Sequence, residues 1–109
     1  MKTLLEKHCV FCEVGTDPLA SDNIKKLANQ IDPSWRVIHD HHLLRVFKFK
    51  NFAQALKFTN QIGELAETEG HHPNICLGWS YVKVKLSTHN INGLSENDFI
   101  LAAKIDEIK

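Results

Sequence analysis

Two adjacent histidines, His71 and His72, are the residues best suited to acid–base chemistry in this sequence. They follow Gly70, which is typical of a helix C-cap, and precede Pro73, which biases the backbone before it towards an extended conformation. His89 follows further along the chain. Imidazole can donate or accept a proton near neutral pH at comparable cost. The pattern indicates a general acid–base site, although histidines in a surface loop would show the same spacing.

A metal site is the alternative chemistry for these residue types. Three histidine nitrogens are the ligand set of many catalytic zinc sites, but neighbouring residues on an extended chain point to opposite sides. His8, Cys9 and Cys12 also form an HCxxC sequence, a spacing common in zinc and redox sites. A structural zinc site usually needs four ligands, and no second CxxC motif is present. We therefore expect reduced cysteines on a terminal turn and no bound metal.

The composition of the 109 residues excludes several classes of protein. Hydrophobic residues make up 43% and charged residues 24%, which is close to the average for globular domains. Thirteen basic residues balance thirteen acidic ones, so no positive field favours a nucleic acid partner. No run reaches the roughly 18 apolar residues of a membrane span or forms a signal-peptide core. We expect a cytoplasmic protein with no membrane partner.

Periodicity predicts one α+β domain over residues 1–109, beginning with an N-terminal arm at 1–20. Helical spacing covers 21–31, where Ser21 is the expected cap, and resumes at Asn51 in a long helix. Alternating apolar and polar residues predict four strands and a solvated hairpin turn that contains His41 and His42. The strands begin at Trp35 and continue over 43–50, 74–79 and 81–88.

The order helix, two strands, helix, two strands, helix predicts a four-stranded antiparallel sheet with helices packed on one face. Leu44 and Val46 lie on the other face, so we expect a second subunit to cover it. Cys76 is predicted to be buried in a strand. Regular alternation to the end of the last strand turns His89 away from the apolar face. In the long helix the predicted buried stripe is Phe52, Ala55, Leu56, Thr59, Ile62 and Ala66.

Acidic residues mark two helix ends. Ser95 and Asp98 resemble a capping box at the start of the last helix. Glu64, Glu67 and Glu69 instead lie at the end of the long helix, where the helix dipole makes negative charge unfavourable by up to about 1 kcal/mol. Acids at this end are favoured only for a reason other than helix stability, such as a functional site.

Three segments together resemble the pterin-4a-carbinolamine dehydratase family. They are ETEGHHPN at 67–74, YVKVKLSTH at 81–89 and GLSEND at 93–98. The resemblance extends over about residues 35–109 and more weakly through the first helix and the HCxxC arm. It implies removal of water from a 4a-hydroxytetrahydropterin to give the quinonoid dihydropterin, with no metal or organic cofactor.

The resemblance also implies roles for single residues. The catalytic positions correspond to His71, His72 and His89, and the substrate-binding positions to Glu67, Pro73 and Asp98. We expect His72 and His89 to carry most proton transfer, with His71 orienting the pterin or sharing that work. The family also implies recycling of the cofactor of an aromatic amino acid hydroxylase, and a homodimer or homotetramer.

Two residues depart from the family pattern. Ile75 replaces an aromatic residue of many members, and Asn97 replaces an arginine. Without the positive charge of that arginine, we expect the electrostatics of the site and the contact between chains to differ from those of other members. Some relatives act as dimerisation cofactors of a homeodomain transcription factor, so a protein-binding regulatory role without catalysis is the alternative function.

Overall fold

The computed structural model describes residues 3–108; residues 1–2 of the predicted arm and residue 109 lie outside them. Within this range the chain forms four strands and three α-helices, which confirms the α+β prediction. In order, these are α1 (Ser21–Ala28), β1 (Arg36–Ile38), β2 (His42–Lys48), α2 (Phe52–Glu69), β3 (Asn74–Leu77), β4 (Tyr81–Leu86) and α3 (Glu96–Ile108). Short 3₁₀ turns occupy Leu4–Glu6 and His89–Ile91.

The strands form one antiparallel sheet in the order β1-β2-β4-β3. Its register pairs Leu43 with Leu86 and Phe47 with Val82, so apolar side chains from different strands share one face. All four side chains are buried, as the alternation predicts. Helix α2 packs on β3 and β4, while α3 contacts α2 and α1. The core therefore lies between one face of the sheet and the helices.

The opposite face of the sheet is more exposed. Leu44 is half-buried and Val46 is exposed, as the predicted facing requires. The prediction that Cys76 is buried is wrong: Cys76 pairs with Lys83, and both residues are exposed. The physical reason is register, since Ile75 and Leu77 take the inward positions of this short strand.

Helix α1 is shorter than predicted. It ends at Ala28, because the next residues form shorter-range bonds such as Gln30 N–H to the Leu27 carbonyl. Ser21 is also not the N-cap. Its hydroxyl lies 2.6 Å from Oδ2 of Asp40, and Ala20 occupies the cap position. Ser21 therefore links the helix to the hairpin between β1 and β2.

The buried face of α2 differs from the predicted stripe. Phe52 and Leu56 are exposed, at 48% and 40%. Phe58, which was not in the predicted stripe, is buried, and its ring centroid lies 4.7 Å from that of Phe47 on the sheet. The face towards the sheet is thus rotated away from Phe52 and Leu56. Its buried residues are Ala55, Phe58, Ile62 and Ala66.

Asp106 fastens α3 to the sheet side of the core. Its carboxylate accepts hydrogen bonds from the Trp35 indole at 2.9 Å and from Arg45 at 2.7 Å. Burial raises the pKa of Asp106, and these two donors oppose that rise. Within residues 3–108, no helix is both long and apolar enough to cross a membrane.

Glu69, the last residue of α2, holds the N-terminal arm. Its carboxylate accepts from the Cys9 N–H at 2.8 Å and from Lys104 at 3.0 Å, and lies 3.0 Å from Nδ1 of His8. The side chain is only 3% exposed. Burial raises the pKa of Glu69, but the bonds from Cys9, Lys104 and His8 outweigh it and lower the pKa to about 2. The arm is therefore tied to α2 and α3 by an ionised carboxylate.

Neighbouring leucines on β2 test the two faces of the sheet. We expect Leu43→Ala to lower the free energy of unfolding by about 2–5 kcal/mol, because it leaves a cavity in the core. Leu44→Ala is the matched control and should cost clearly less, because Leu44 is half-buried on the other face. Urea denaturation of both variants measures the difference, and equal losses would contradict the assignment of faces.

Glu69→Gln tests the anchor of the arm. We expect a loss of about 1.5–3 kcal/mol at pH 7, typical of a hydrogen bond to a charged group. Because the folded state holds the pKa of Glu69 below its ordinary value of 4.5, the stabilisation is present above pH 4.5 and is lost as the pH falls towards 2. Urea titrations across this range should show the variant and the wild type converging. Glu64→Gln, an exposed acid on the same helix, should have little effect at any pH.

Candidate active site

A cavity of about 250 Å³ lies where the arm, the end of α2 and the segment after β4 meet. It is lined by residues 10–12, 70–72, 87–90 and Asn97, so the fold brings His71, His72 and His89 to one place. A larger cavity of about 540 Å³ beside Lys57 has neither histidine nor carboxylate in its lining. The smaller cavity is therefore the candidate for acid–base chemistry.

The segment that carries the histidine pair is set by the end of α2. Gly70 adopts the left-handed conformation with φ of 66°, which confirms the predicted C-cap. The His71 N–H then bonds to the Ala66 carbonyl at 3.2 Å and continues the helix cap. The rings of His71 and His72 diverge after this turn, and each meets a different carboxylate.

His71 pairs with Asp98 of α3. Nε2 of His71 lies 2.6 Å from Oδ1 of Asp98. The His71 ring is mostly buried, and the Asp98 side chain has no exposed surface. A carboxylate can only accept, so the proton of this bond is on Nε2 of His71. In the neutral ring, Nδ1 is then the basic nitrogen.

The second oxygen of Asp98 is also saturated. Oδ2 accepts from the Thr88 hydroxyl at 2.9 Å and from the Ser95 N–H at 3.0 Å. The bond from the Ser95 N–H to Asp98 is one half of the predicted capping box. The Ser95 hydroxyl instead lies 2.7 Å from the Thr88 hydroxyl. The family resemblance implies that Asp98 binds the substrate. In this structure the Asp98 side chain contacts His71 and has no exposed surface.

His72 contacts Glu67, in the last turn of α2. Nε2 of His72 and Oε2 of Glu67 form a short hydrogen bond, and both side chains are exposed. An acid at this helix end thus orients a histidine, although it opposes the helix dipole. The pair leaves His72 accessible to a molecule in the cavity.

His89 is exposed, but not because the strand continues to it. Strand β4 ends at Leu86, and His89 begins the 3₁₀ turn that follows. Thr88 makes an isolated bridge to Gly93, which closes the turn. The prediction that His89 is exposed is therefore correct, but the strand from which it was derived ends three residues before His89.

Six residues of interest are absent from the lining of this cavity: Glu67 and Asp98, described above, and Pro73, Ile75, His41 and His42. Pro73 follows the histidine pair and is half-buried. Ile75, the position of the family's aromatic residue, pairs with Val84 and packs against the core. The hairpin histidines His41 and His42 are half-buried and contact each other through their rings, which the prediction of a solvated turn did not include.

The arm was not predicted to form part of the site, and Asn97 was noted only as a departure from the family pattern that concerns the electrostatics of the site. Asn97 is buried, and its Oδ1 accepts from the Val10 N–H at 2.9 Å. Its Nδ2 donates to the Val10 carbonyl at 2.5 Å. The unusual residue at position 97 was the available signal, since a side-chain amide can both donate to and accept from a backbone segment, as Asn97 does with Val10. The arm itself has no periodicity from which its position follows.

The HCxxC sequence anchors the arm, because His8 and Cys9 both contact the Glu69 carboxylate. Burial raises the pKa of the Cys9 thiol to about 12, and the negative charge of Glu69 adds to the rise. Across residues 3–108, no group of three or more His, Cys, Asp or Glu side chains is arranged to hold a metal ion.

Known proteins that are similar to this chain share one family. Residues 17–108 match the family model for pterin 4 alpha carbinolamine dehydratase. A relative from Alkaliphilus metalliredigens, named "Putative pterin-4-alpha-carbinolamine dehydratase", is 57% identical over 107 residues, which cover 98% of this chain and 96% of the relative.

Two solved structures share the fold. A transcriptional coactivator/pterin dehydratase from Brucella melitensis superposes with a TM-score of 0.78 at 31% identity, covering 84% of this chain and 98% of that one. A pterin dehydratase-like protein, described as a RuBisCO assembly factor in the alpha-carboxysome, has a TM-score of 0.59 at 31% identity, covering 69% and 88%. By sequence and fold, the chain belongs to the pterin 4 alpha carbinolamine dehydratase family.

Proposed function

We propose that this protein removes water from 4a-hydroxytetrahydropterins and releases the quinonoid dihydropterin. The observation that carries the proposal is the convergence of His71, His72 and His89 on one cavity in a member of this family. The cavity is slightly smaller than the roughly 300–1,000 Å³ of sites for drug-sized ligands, which suits a compact bicyclic ring.

The reaction needs one proton donor and one proton acceptor. An acid protonates the 4a-hydroxyl so that the carbon–oxygen bond breaks and water leaves, while a base takes a proton from a ring nitrogen. We assign these two steps to His72 and His89, whose rings are exposed at the cavity. One ring gives a proton and the other gains one, so the pair is restored by exchange with solvent after each turnover.

His71 has the position of an orienting group. Its Nε2 is held by Asp98, so the ring cannot turn freely, and Nδ1 is available as an acceptor for a pterin N–H. Glu67 orients His72 in a corresponding way. We assign Asp98 a positioning role, because its carboxylate has no exposed surface and its two oxygens accept from His71, Thr88 and Ser95. Pro73 would act through the backbone of the pair.

We also propose that the protein recycles the pterin used by an aromatic amino acid hydroxylase, with 4a-hydroxytetrahydrobiopterin as the substrate. Free thiols at Cys9, Cys12 and Cys76 support a reducing compartment such as the cytoplasm. Exposed apolar side chains support a homodimer or homotetramer. They include Val46, Phe52, Leu56 and Trp79.

A protein-binding role is the second candidate. The two solved relatives are described as a transcriptional coactivator/pterin dehydratase and as a RuBisCO assembly factor, and the same exposed apolar residues would suit a partner protein. The rate of dehydration of synthetic 4a-hydroxytetrahydropterin, followed by stopped-flow absorbance, separates the two functions. Acceleration above the spontaneous rate supports the enzyme. No acceleration would favour the partner role.

Substitution of the cavity histidines tests their roles. We expect His72→Ala and His89→Ala each to lower kcat by about 10²–10⁴-fold, the usual contribution of a general acid or base. His41→Ala is the matched control, since His41 is a half-buried histidine in the hairpin, outside the cavity. The same stopped-flow assay measures all three variants. An unchanged rate in His72→Ala would refute the assignment of that ring.

Asp98→Asn tests the positioning of His71. We expect kcat to fall by about 10- to 100-fold, the rate equivalent of a hydrogen bond to a charged group, with a smaller change in KM. Asp106→Asn is the control, because Asp106 is a second partly buried aspartate on α3 whose contacts lie with Trp35 and Arg45. Both variants should be less stable, but only Asp98→Asn should lose turnover. Equal kcat values in the two variants would show that Asp98 acts on stability alone.

A further inference from the structure

The arm exposes apolar side chains beside a polar cavity. Val10, Phe11 and Cys12 line the cavity, and Phe11 is 80% exposed. Val10 is exposed as well, at 71%. Single exposed apolar residues are ordinary, but a cluster at the rim of a cavity is typical of a ligand-binding surface.

The backbone on both sides of Phe11 is fixed to the protein. Asn97 holds Val10 through two hydrogen bonds, at 2.9 and 2.5 Å. The side-chain amide of Asn90 donates to the Cys12 carbonyl at 3.1 Å. Phe11 is therefore presented at the rim by its neighbours, and no segment has to fold when a ligand enters.

Phe11 also supplies a surface that the rest of the cavity lacks. Of the residues that line it, Phe11 is the one aromatic side chain besides the histidines. Ile75, where many family members have an aromatic residue, packs against the core and does not line the cavity. Polar groups can bind the edges of a flat heteroaromatic ring, but its faces need an apolar or aromatic contact.

We infer that the arm forms a wall of the substrate site, and that Phe11 stacks on the face of the pterin ring and sets the affinity for it. The inference rests on the proposed function, because it takes the pterin as the ligand. Asn97 is the positioning residue that holds this wall in place. An aromatic residue on the arm thus contributes the ring contact in this chain, and the histidines contribute the edge contacts.

Kinetics and binding of Phe11→Ala test the inference. We expect KM for the 4a-hydroxytetrahydropterin, and Kd for 7,8-dihydrobiopterin measured by fluorescence, to rise about three- to tenfold. The value of kcat should change less than twofold, because Phe11 carries no proton. Phe11→Tyr keeps the ring and should restore both constants. Val14→Ala is the matched control, because Val14 is an equally exposed arm residue at 81% that does not line the cavity.

The outcomes separate the inference from the proposed function. A wild-type protein that neither binds dihydrobiopterin nor exceeds the spontaneous rate overturns both. An active wild type with a Phe11→Ala variant within twofold of it in KM and Kd overturns the stacking role alone. Equal losses in Phe11→Ala and Val14→Ala would also overturn it, because they would reflect a general effect of the arm. Folding does not confound the test, since each substituted side chain is exposed.

Discussion

The burial of the Asp98 carboxylate is the constraint on which the site depends. A buried charge is costly unless hydrogen bonds satisfy it, and here both oxygens are satisfied by Thr88, Ser95 and His71. These donors come from the segment after β4, from the start of α3 and from the segment after α2. Satisfying one carboxylate therefore brings three parts of the chain together and fixes His71 at their junction.

The acids at the end of α2 have a related explanation. Negative charge there opposes the helix dipole, so each acid must be stabilised by another contact or remain exposed. Glu67 bonds to His72, and Glu69 accepts three donors that tie down the arm. Glu64 is exposed. Two of the three acids thus serve the site, one by orienting a histidine and the other by placing the arm that lines the cavity.

Sequence patterns correctly predicted those features of the fold that depend on residues close together in the chain. Alternation in β2 and β4 gave the faces of the sheet, and Gly70 gave the end of α2, because both depend on neighbouring residues. The buried stripe of α2 was partly wrong, because Phe58 faces the sheet through its contact with Phe47, a tertiary choice that spacing does not fix. The role of the arm was missed for the same reason. Its anchors, Glu69 and Asn97, are distant in sequence from the residues they hold.

Imidazole nitrogen NMR of the protein, free and with 7,8-dihydrobiopterin, is the most direct test of a pterin site built on Asp98. The buried carboxylate requires His71 to carry its proton on Nε2, and the ligand should shift the signals of His71, His72 and His89 while leaving those of His41 unchanged. A His71 ring protonated on Nδ1 alone would contradict this site, as would a ligand that shifts the hairpin histidines and leaves the three cavity histidines unaffected.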